Sequence, residues 1–270
     1  MTVLDDLPQR YRFILCDLWG CVHDGVRLYP GAANRLLQWR REGRFIILIT
    51  NAPRTADYVQ RQVAELGLPR DAWDAITTGG EAGVNALSLL REPVGFLGTM
   101  LDRSVLEGRG VEIAPDDRFR HLACTGLSPD RPSVDLYDPD LRAWAKRGVV
   151  MHCLNPDRVV VRGGALELCA GSIADAYEAL GGRVEWYGKP FAAIYEHALK
   201  LAGNPTKDQV LAIGDGLQTD VLGAAKAEID CIFVAGGIHA GGTFPEDFAA
   251  RYQLGAWRPV ATVATLGTAG

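Results

Sequence analysis

Short apolar runs alternate with stretches of helical period at both ends of the chain. Arg12 to Cys16 (RFILC) reads as a buried strand that runs straight into Asp17, and Gly31 to Arg41 follows as a helix with Leu36, Leu37 and Trp39 on its apolar side. Phe45 to Ile49 is a second strand ending at Thr50-Asn51. A helix from about Thr55 to Leu66 stops at Gly67, where the absence of a Cβ suits a C-terminal cap, and Ala75 to Thr77 is a short third strand. The same unit recurs near the C-terminus: Ala192 to Ala202 is helical, Val210 to Ile213 is a strand, Gly214-Asp215-Gly216 is a turn, Thr219 to Ala227 is helical and Cys231 to Val234 is a strand.

This alternation predicts an α/β protein with a Rossmann-like, doubly wound parallel sheet covered by helices. The middle of the chain carries strands of its own at Pro93 to Leu97, His121 to Thr125 and Gly148 to Leu154, and helices at Leu136 to Ala145 and Gly171 to Ala179. It is expected to be a second α/β unit, residues 79–183, inserted into a core made of 1–78 and 184–270. In open α/β sheets, sites form outside the carboxyl ends of the strands, so the polar clusters at Asp17 and Asp215 are placed to converge on one crevice.

Composition narrows the function. The 270 residues hold 28 Lys+Arg against 33 Asp+Glu, a net charge of -5, which gives none of the basic excess a nucleic-acid partner requires. The first ten residues are polar and acidic, unlike a secretory signal, and the apolar run Phe45 to Ile49 is too short to span a bilayer, so a cytoplasmic protein with no membrane partner is expected. Six scattered cysteines with no C-x-x-C pair read as small buried hydrophobes rather than bridges or zinc ligands.

The candidate chemistry sits at strand ends. Asp17 projects from a strand tip into the turn Leu18-Trp19-Gly20-Cys21, where a carboxylate serves as a nucleophile, a metal ligand or simply a turn cap. Asp215 and Asp220, in IGDGLQTD, are hard oxygen donors flanked by glycine and suit Mg²⁺. The run is not a dinucleotide-binding G-x-G-x-x-G, because Thr219 stands in the third glycine's place. Lys189 in Tyr187-Gly188-Lys189-Pro190 can neutralise a phosphate or a carboxylate, or be a solvated lysine. Thr50 and Asn51 can donate hydrogen bonds to a phosphoryl oxygen or cap the next helix.

The series strand-Asp17, strand-Thr50, Gly188-Lys189-Pro190, strand-Gly214-Asp215 with Asp220 resembles the four motifs of the haloacid dehalogenase superfamily. The separation of 139 positions between Thr50 and Lys189 matches the subfamily that inserts a large α/β cap there. The Thr50-Asn51 pair, Leu154-Asn155-Pro156-Asp157 and Gly171 also fit, and the p-nitrophenyl phosphatase and nucleotide or sugar-phosphate phosphatase branch is most similar.

The resemblance implies that Asp17 attacks phosphorus, Thr50 hydrogen-bonds the phosphoryl group and Lys189 balances charge. It also implies that Asp215 binds Mg²⁺, that the Trp19 backbone carbonyl is a further ligand, and that Asp220 completes the metal shell or orients Lys189. Asn155, Asp157, Arg158 and Arg162 would lie on a cap loop facing the substrate, a small phosphorylated metabolite, and homodimers through the cap are expected. One departure stands out: the family's general acid, a second Asp two residues after the nucleophile, is Trp19 here. His23 and Asp24 are the nearest substitutes, although His23-Asp24-Gly25 also reads as a surface turn. A Mg²⁺-dependent phosphatase-like hydrolase is therefore the expected function. A weakly catalytic binder of phosphorylated ligands is the alternative that Trp19 suggests. A dehalogenase is disfavoured, since it needs neither Mg²⁺ nor the Asp215 and Asp220 carboxylates.

Overall fold

The computed structural model describes residues 3–162, 165–236 and 243–267. Its chain opens with strand β1 (Phe13–Asp17), helix α1 (Ala32–Arg41), β2 (Phe45–Thr50), α2 (Ala56–Glu65) and β3 (Ala75–Thr78). The middle adds α3 (Gly79–Ser88), β4 (Gly95–Leu97), α4 (Met100–Gly108), β5 (His121–Cys124), α5 (Asp138–Arg147), β6 (Val150–Cys153), β7 (Val159–Arg162), β8 (Ala165–Leu168), α6 (Ala170–Ala179) and β9 (Arg183–Trp186). The last stretch holds α7 (Ala192–Leu201), β10 (Val210–Gly214), α8 (Leu222–Lys226), β11 (Asp230–Val234), α9 (Phe248–Arg251) and β12 (Ala261–Val263).

Two compact units result. The first comprises 1–50, 60–77 and 189–270; the second comprises 51–59 and 78–188. In the first, six strands form one sheet in the order β12-β11-β10-β1-β2-β3. The chain winds outward from β1 in one direction and from β10 in the other, so the strand order reverses between these two parallel neighbours, paired from Phe13↔Val210 to Cys16↔Ile213. A crevice at such a reversal is where α/β sheets place ligands. Apart from Asp17 at the end of β1, both strands lack polar side chains because parallel strands are covered on both faces. Leu15, Ile47, Val210, Ala212 and Phe233 join Ile194 and Tyr195 of α7 and Leu222 of α8 in one buried cluster.

The second unit has its own parallel sheet, β4-β5-β6-β9, and an antiparallel hairpin, β7-β8. One buried cluster gathers Leu122, Cys124, Met151 and Cys153 with Tyr137, Trp144, Ile173 and Tyr177. Another gathers Ala123 and Leu154 with Val84, Leu87 and Leu106. The α/β class and parallel core expected from the periodicity are thus the observed ones, and Gly67, at φ +90°, donates its N–H to the Ala64 carbonyl as the cap of α2. The helix expected over Thr219 to Ala227 differs in detail: Leu217–Val221 forms a π turn before α8 begins. Among the described residues no helix is long and apolar enough to cross a membrane.

Leu15 is fully buried in the central strand, whereas Leu166 of the hairpin is 66% exposed. Leu15→Ala should cost about 2–5 kcal/mol in urea unfolding, and Leu166→Ala less than about 0.5 kcal/mol.

Candidate active site

Asp17 is the last residue of β1 and is 4% exposed. The Lys189 Nζ donates to Asp17 Oδ1 at 2.5 Å and to Asp220 Oδ1 at 2.7 Å, and all three side chains are buried. Asp220 is aimed by the π turn, a distortion that tends to occur at functional sites. Its second oxygen accepts from the Gly216 N–H at 3.1 Å and the Thr219 hydroxyl at 3.2 Å. Gly214 makes room for this arrangement, because a Cβ there would lie 2.2 Å from Asp220 Cγ.

Asp215, directly after β10 and 1% exposed, completes the cluster. Ligand atoms of Asp17, Cys21 and Asp215 lie within 4.8 Å of one another. Gly20 is required here twice over: its φ is +81°, and a Cβ would fall 1.9 Å from Asp215 Oδ2. The cluster therefore gathers three buried carboxylates and one ammonium, a formal excess of two negative charges. Burial raises the Asp17 carboxyl well above its ordinary range, the neighbouring Asp220 and Asp215 add to the rise, and Lys189 opposes it. Burial alone would lower Lys189, but Asp17 and Asp220 outweigh it and hold the ammonium charged.

The donor set fits a hard divalent cation: two buried carboxylates, excess negative charge, and a cradle kept open by a missing Cβ. Cys21 is the buried small side chain its sequence context suggests, and the fold sets it beside the carboxylates. Burial, with Asp215 and Asp17 adjacent, pushes its thiol well up, so it stays a neutral S–H and a poor partner for Mg²⁺. Thr50 ends β2 and is 2% exposed.

Trp19 is half-buried. Its ring centroid lies 5.1 Å from that of His23 at 71°, and its indole rests against Gly25, where a Cβ would approach Cη2 to 2.3 Å. The segment His23-Asp24-Gly25 is a turn, as its sequence suggests, but His23 is only 1% exposed rather than at the surface. Its Nδ1 accepts from the Gly25 N–H at 3.0 Å, while Asp24 Oδ1 accepts from the N–H groups of Val26 and Arg27, each at 2.9 Å.

The remaining site candidates belong to the second unit. Asn51 Nδ2 donates to Asp157 Oδ1 at 2.8 Å, and the Asp157 N–H donates to Asn155 Oδ1 at 3.1 Å. Gly171 lets α6 start against this loop, since a Cβ would sit 2.4 Å from the Pro156 carbonyl oxygen. Arg158 is engaged at each nitrogen: Nε and Nη2 donate to Asp175 at 2.9 and 2.6 Å, and Nη1 to the Pro156 carbonyl at 2.8 Å. Arg162 Nε donates to Glu167 across the hairpin at 3.1 Å.

Known proteins are similar to this chain over most of its length. Residues 14–112 match the family model for haloacid dehalogenase-like hydrolases, and 186–266 match the HAD-hydrolase-like model. A haloacid dehalogenase-like hydrolase structure from Brucella suis is 34% identical, covers 97% of this chain and 98% of its own, and superposes with a TM-score of 0.87. The chain therefore belongs to the haloacid dehalogenase-like hydrolases, in the subfamily with a large α/β insert. D-glycerol 3-phosphate phosphatase of Mycobacterium tuberculosis is 26% identical over 88% of this chain, and the match spans 66% of that protein's length. Ribonucleotide monophosphatase NagD of Escherichia coli is 26% identical over 83% of this chain and 88% of its own.

Because Gly20 meets both a positive φ and the Asp215 carboxylate, Gly20→Ala should cost about 1–3 kcal/mol in urea unfolding and abolish stabilisation by added Mg²⁺. Equal Mg²⁺-dependent shifts in melting temperature for wild type and variant would contradict the cradle assignment.

Proposed function

We propose that the chain is a cytoplasmic phosphoric monoester hydrolase acting on a small phosphorylated metabolite with Mg²⁺ and an aspartyl-phosphate intermediate. The observation that carries this reading is the buried Asp17–Lys189–Asp220 triad beside Asp215 at the strand-order reversal. The phosphatase names among the relatives support it.

In this mechanism an oxygen of Asp17 forms a bond to phosphorus as the ester P–O bond breaks and the alkoxide departs. Water then attacks the acyl phosphate, releasing phosphate and restoring the carboxylate. Lys189 neutralises charge between nucleophile and phosphoryl group, and the Thr50 hydroxyl and Asn51 amide donate to phosphoryl oxygens. Mg²⁺ held by Asp17, Asp215 and the Trp19 carbonyl would cancel the excess negative charge and polarise the phosphoryl oxygens. Asp220 would complete the metal shell or orient Lys189, which it meets at 2.7 Å. Asn155, Asp157 and Arg158 form the insert loop that faces the substrate, with Arg158 acting through Asp175 as a brace.

Trp19 sets the substrate's leaving group. Indole is a donor only and cannot shuttle a proton, so esters whose oxygen must be protonated as it leaves forgo an effect typically worth about 10²- to 10⁴-fold. The same residue supports the second reading, a binder of phosphorylated ligands with little turnover.

Asp17→Asn should reduce turnover of p-nitrophenyl phosphate to below a few per cent while the fold persists. Asp215→Asn should weaken Mg²⁺ binding and activity together, with partial rescue at high Mg²⁺; activity indifferent to a chelator would refute the metal assignment. Across a series of esters at fixed Mg²⁺, aryl and acyl phosphates should react far faster than sugar phosphates. A flat dependence on leaving-group pKa would show that another residue supplies the proton, and tight phosphate binding without any turnover would favour the binder.

A further inference from the structure

Cys21 has no place in the mechanism above, yet its sulfur lies inside the carboxylate cluster of the first unit. The turn after β1 holds it there. The Val22 N–H donates to the Leu18 carbonyl at 2.8 Å, the His23 N–H to the same carbonyl at 3.0 Å, and the Gly20 N–H to the His23 carbonyl at 3.0 Å. Cys21 Sγ and one carboxylate oxygen each from Asp17 and Asp215 all lie within 4.8 Å of one another, and the three residues are 1%, 4% and 1% exposed.

Two of these three groups have coordination capacity that the protein leaves unused. The thiols of Cys16 and Cys153 each donate to a backbone carbonyl, of Asp17 and Asn155, at 3.3 Å. Cys21, by contrast, meets no hydrogen-bond partner among the described residues. Lys189 holds Asp17 through Oδ1, and Oδ2 accepts no hydrogen bond among the described residues. A buried, unpartnered sulfur beside two buried carboxylates is a mixed donor set. Mg²⁺ takes oxygen and leaves the sulfur idle. Zn²⁺ binds thiolate strongly, and its binding releases the thiol proton. Bonds of about 2.3 Å to sulfur and about 2.0–2.2 Å to oxygen would draw the three atoms together through small side-chain rotations.

We propose that Cys21 is a third protein ligand at this site for a thiophilic divalent cation of the zinc class, so that the cluster takes Zn²⁺ through sulfur and two carboxylates. The inference rests on the reading of Asp17 and Asp215 as metal ligands. As the sulfur–metal bond forms, the thiol proton leaves to solvent, so a divalent ion bound in this way leaves the cluster with one formal negative charge.

The test is spectroscopic, so that it does not depend on turnover. The full chain is freed of metal with a chelator and titrated with Co²⁺. Wild type should develop the intense near-ultraviolet absorption of a cobalt–thiolate bond, saturating at one equivalent, and Zn²⁺ should displace it. Cys21→Ala should lack that absorption and keep its Mg²⁺ affinity within about twofold, while its ratio of Zn²⁺ to Mg²⁺ affinity, read by calorimetry, falls about 10- to 100-fold. Cys16→Ser should retain the absorption. A wild type that binds Co²⁺ without the absorption, or binds none, overturns the proposal. So does an absorption that survives in Cys21→Ala or follows Cys16 instead, or an affinity ratio that Cys21→Ala leaves unchanged. If Cys21→Ala does not fold, Cys21→Ser carries the same comparison. The reading of the site as a Mg²⁺ centre fails separately, through a wild type that binds no Mg²⁺ and still shows the Cys21-dependent absorption.

Discussion

A buried ammonium shared by two buried carboxylates is the constraint around which the first unit is arranged. Taking a charge out of water costs several kcal/mol per ion, and Lys189 is tolerated at 3% exposure only because Asp17 and Asp220 meet it at 2.5 and 2.7 Å. The partners lie 172 and 31 residues away along the chain, so the contact joins the end of β1 to the segments before α7 and after β10. Its geometry also dictates small residues nearby. Gly214 and Gly216 let Asp220 fold back over the strand end, and Gly20 leaves the space that Asp215 fills. These glycines serve the carboxylates more than the turns.

The arrangement is electrostatically incomplete by construction. One cation against three carboxylates does not reach neutrality, and the Asp17 carboxyl, raised first by its burial, is raised further by Asp220 and Asp215. Interiors usually avoid this, since unpaired buried charge is among the most destabilising features a fold can contain. Here the cost falls at the strand-order reversal, where the proposed function would bring a cation and an anionic substrate, and trading stability for function in this way is common.

The sequence disclosed the parts whose physics is local. β1, β2 and β10 are apolar runs because parallel strands are covered on both faces, and Asp17 and Thr50 close the first two while Asp215 directly follows the third. Lys189 was harder to place: before a helix, a solvated lysine and a buried one look alike until Asp17 and Asp220 are seen beside it. Cys21 was invisible as a site neighbour because a thiol is also a small hydrophobe. β7-β8 and β9 (RVEW) escaped because their residues are mostly exposed or half-buried and give no core-facing alternation. Nothing in the sequence announced the chain in which His121 Nδ1 meets His152 Nε2 at 2.9 Å and His152 Nδ1 meets the Tyr187 hydroxyl at 2.9 Å. Burial takes His152 down to about 4 and Tyr187 up to about 12, which keeps both neutral across that interior.

All six cysteines are free and buried, two of them within β1 and the turn that follows it. Burial raises each thiol, to about 12 for Cys124 and Cys169, so at neutral pH the native chain presents almost no thiolate to an electrophile. Alkylation then requires the protein to open first, and the order in which these sulfurs become modified is a map of which parts of the chain breathe. Cys16 and Cys21 report on the strand that carries Asp17, Cys231 on its neighbour two strands away, and Cys124, Cys153 and Cys169 on the inserted unit, with no label added to the molecule.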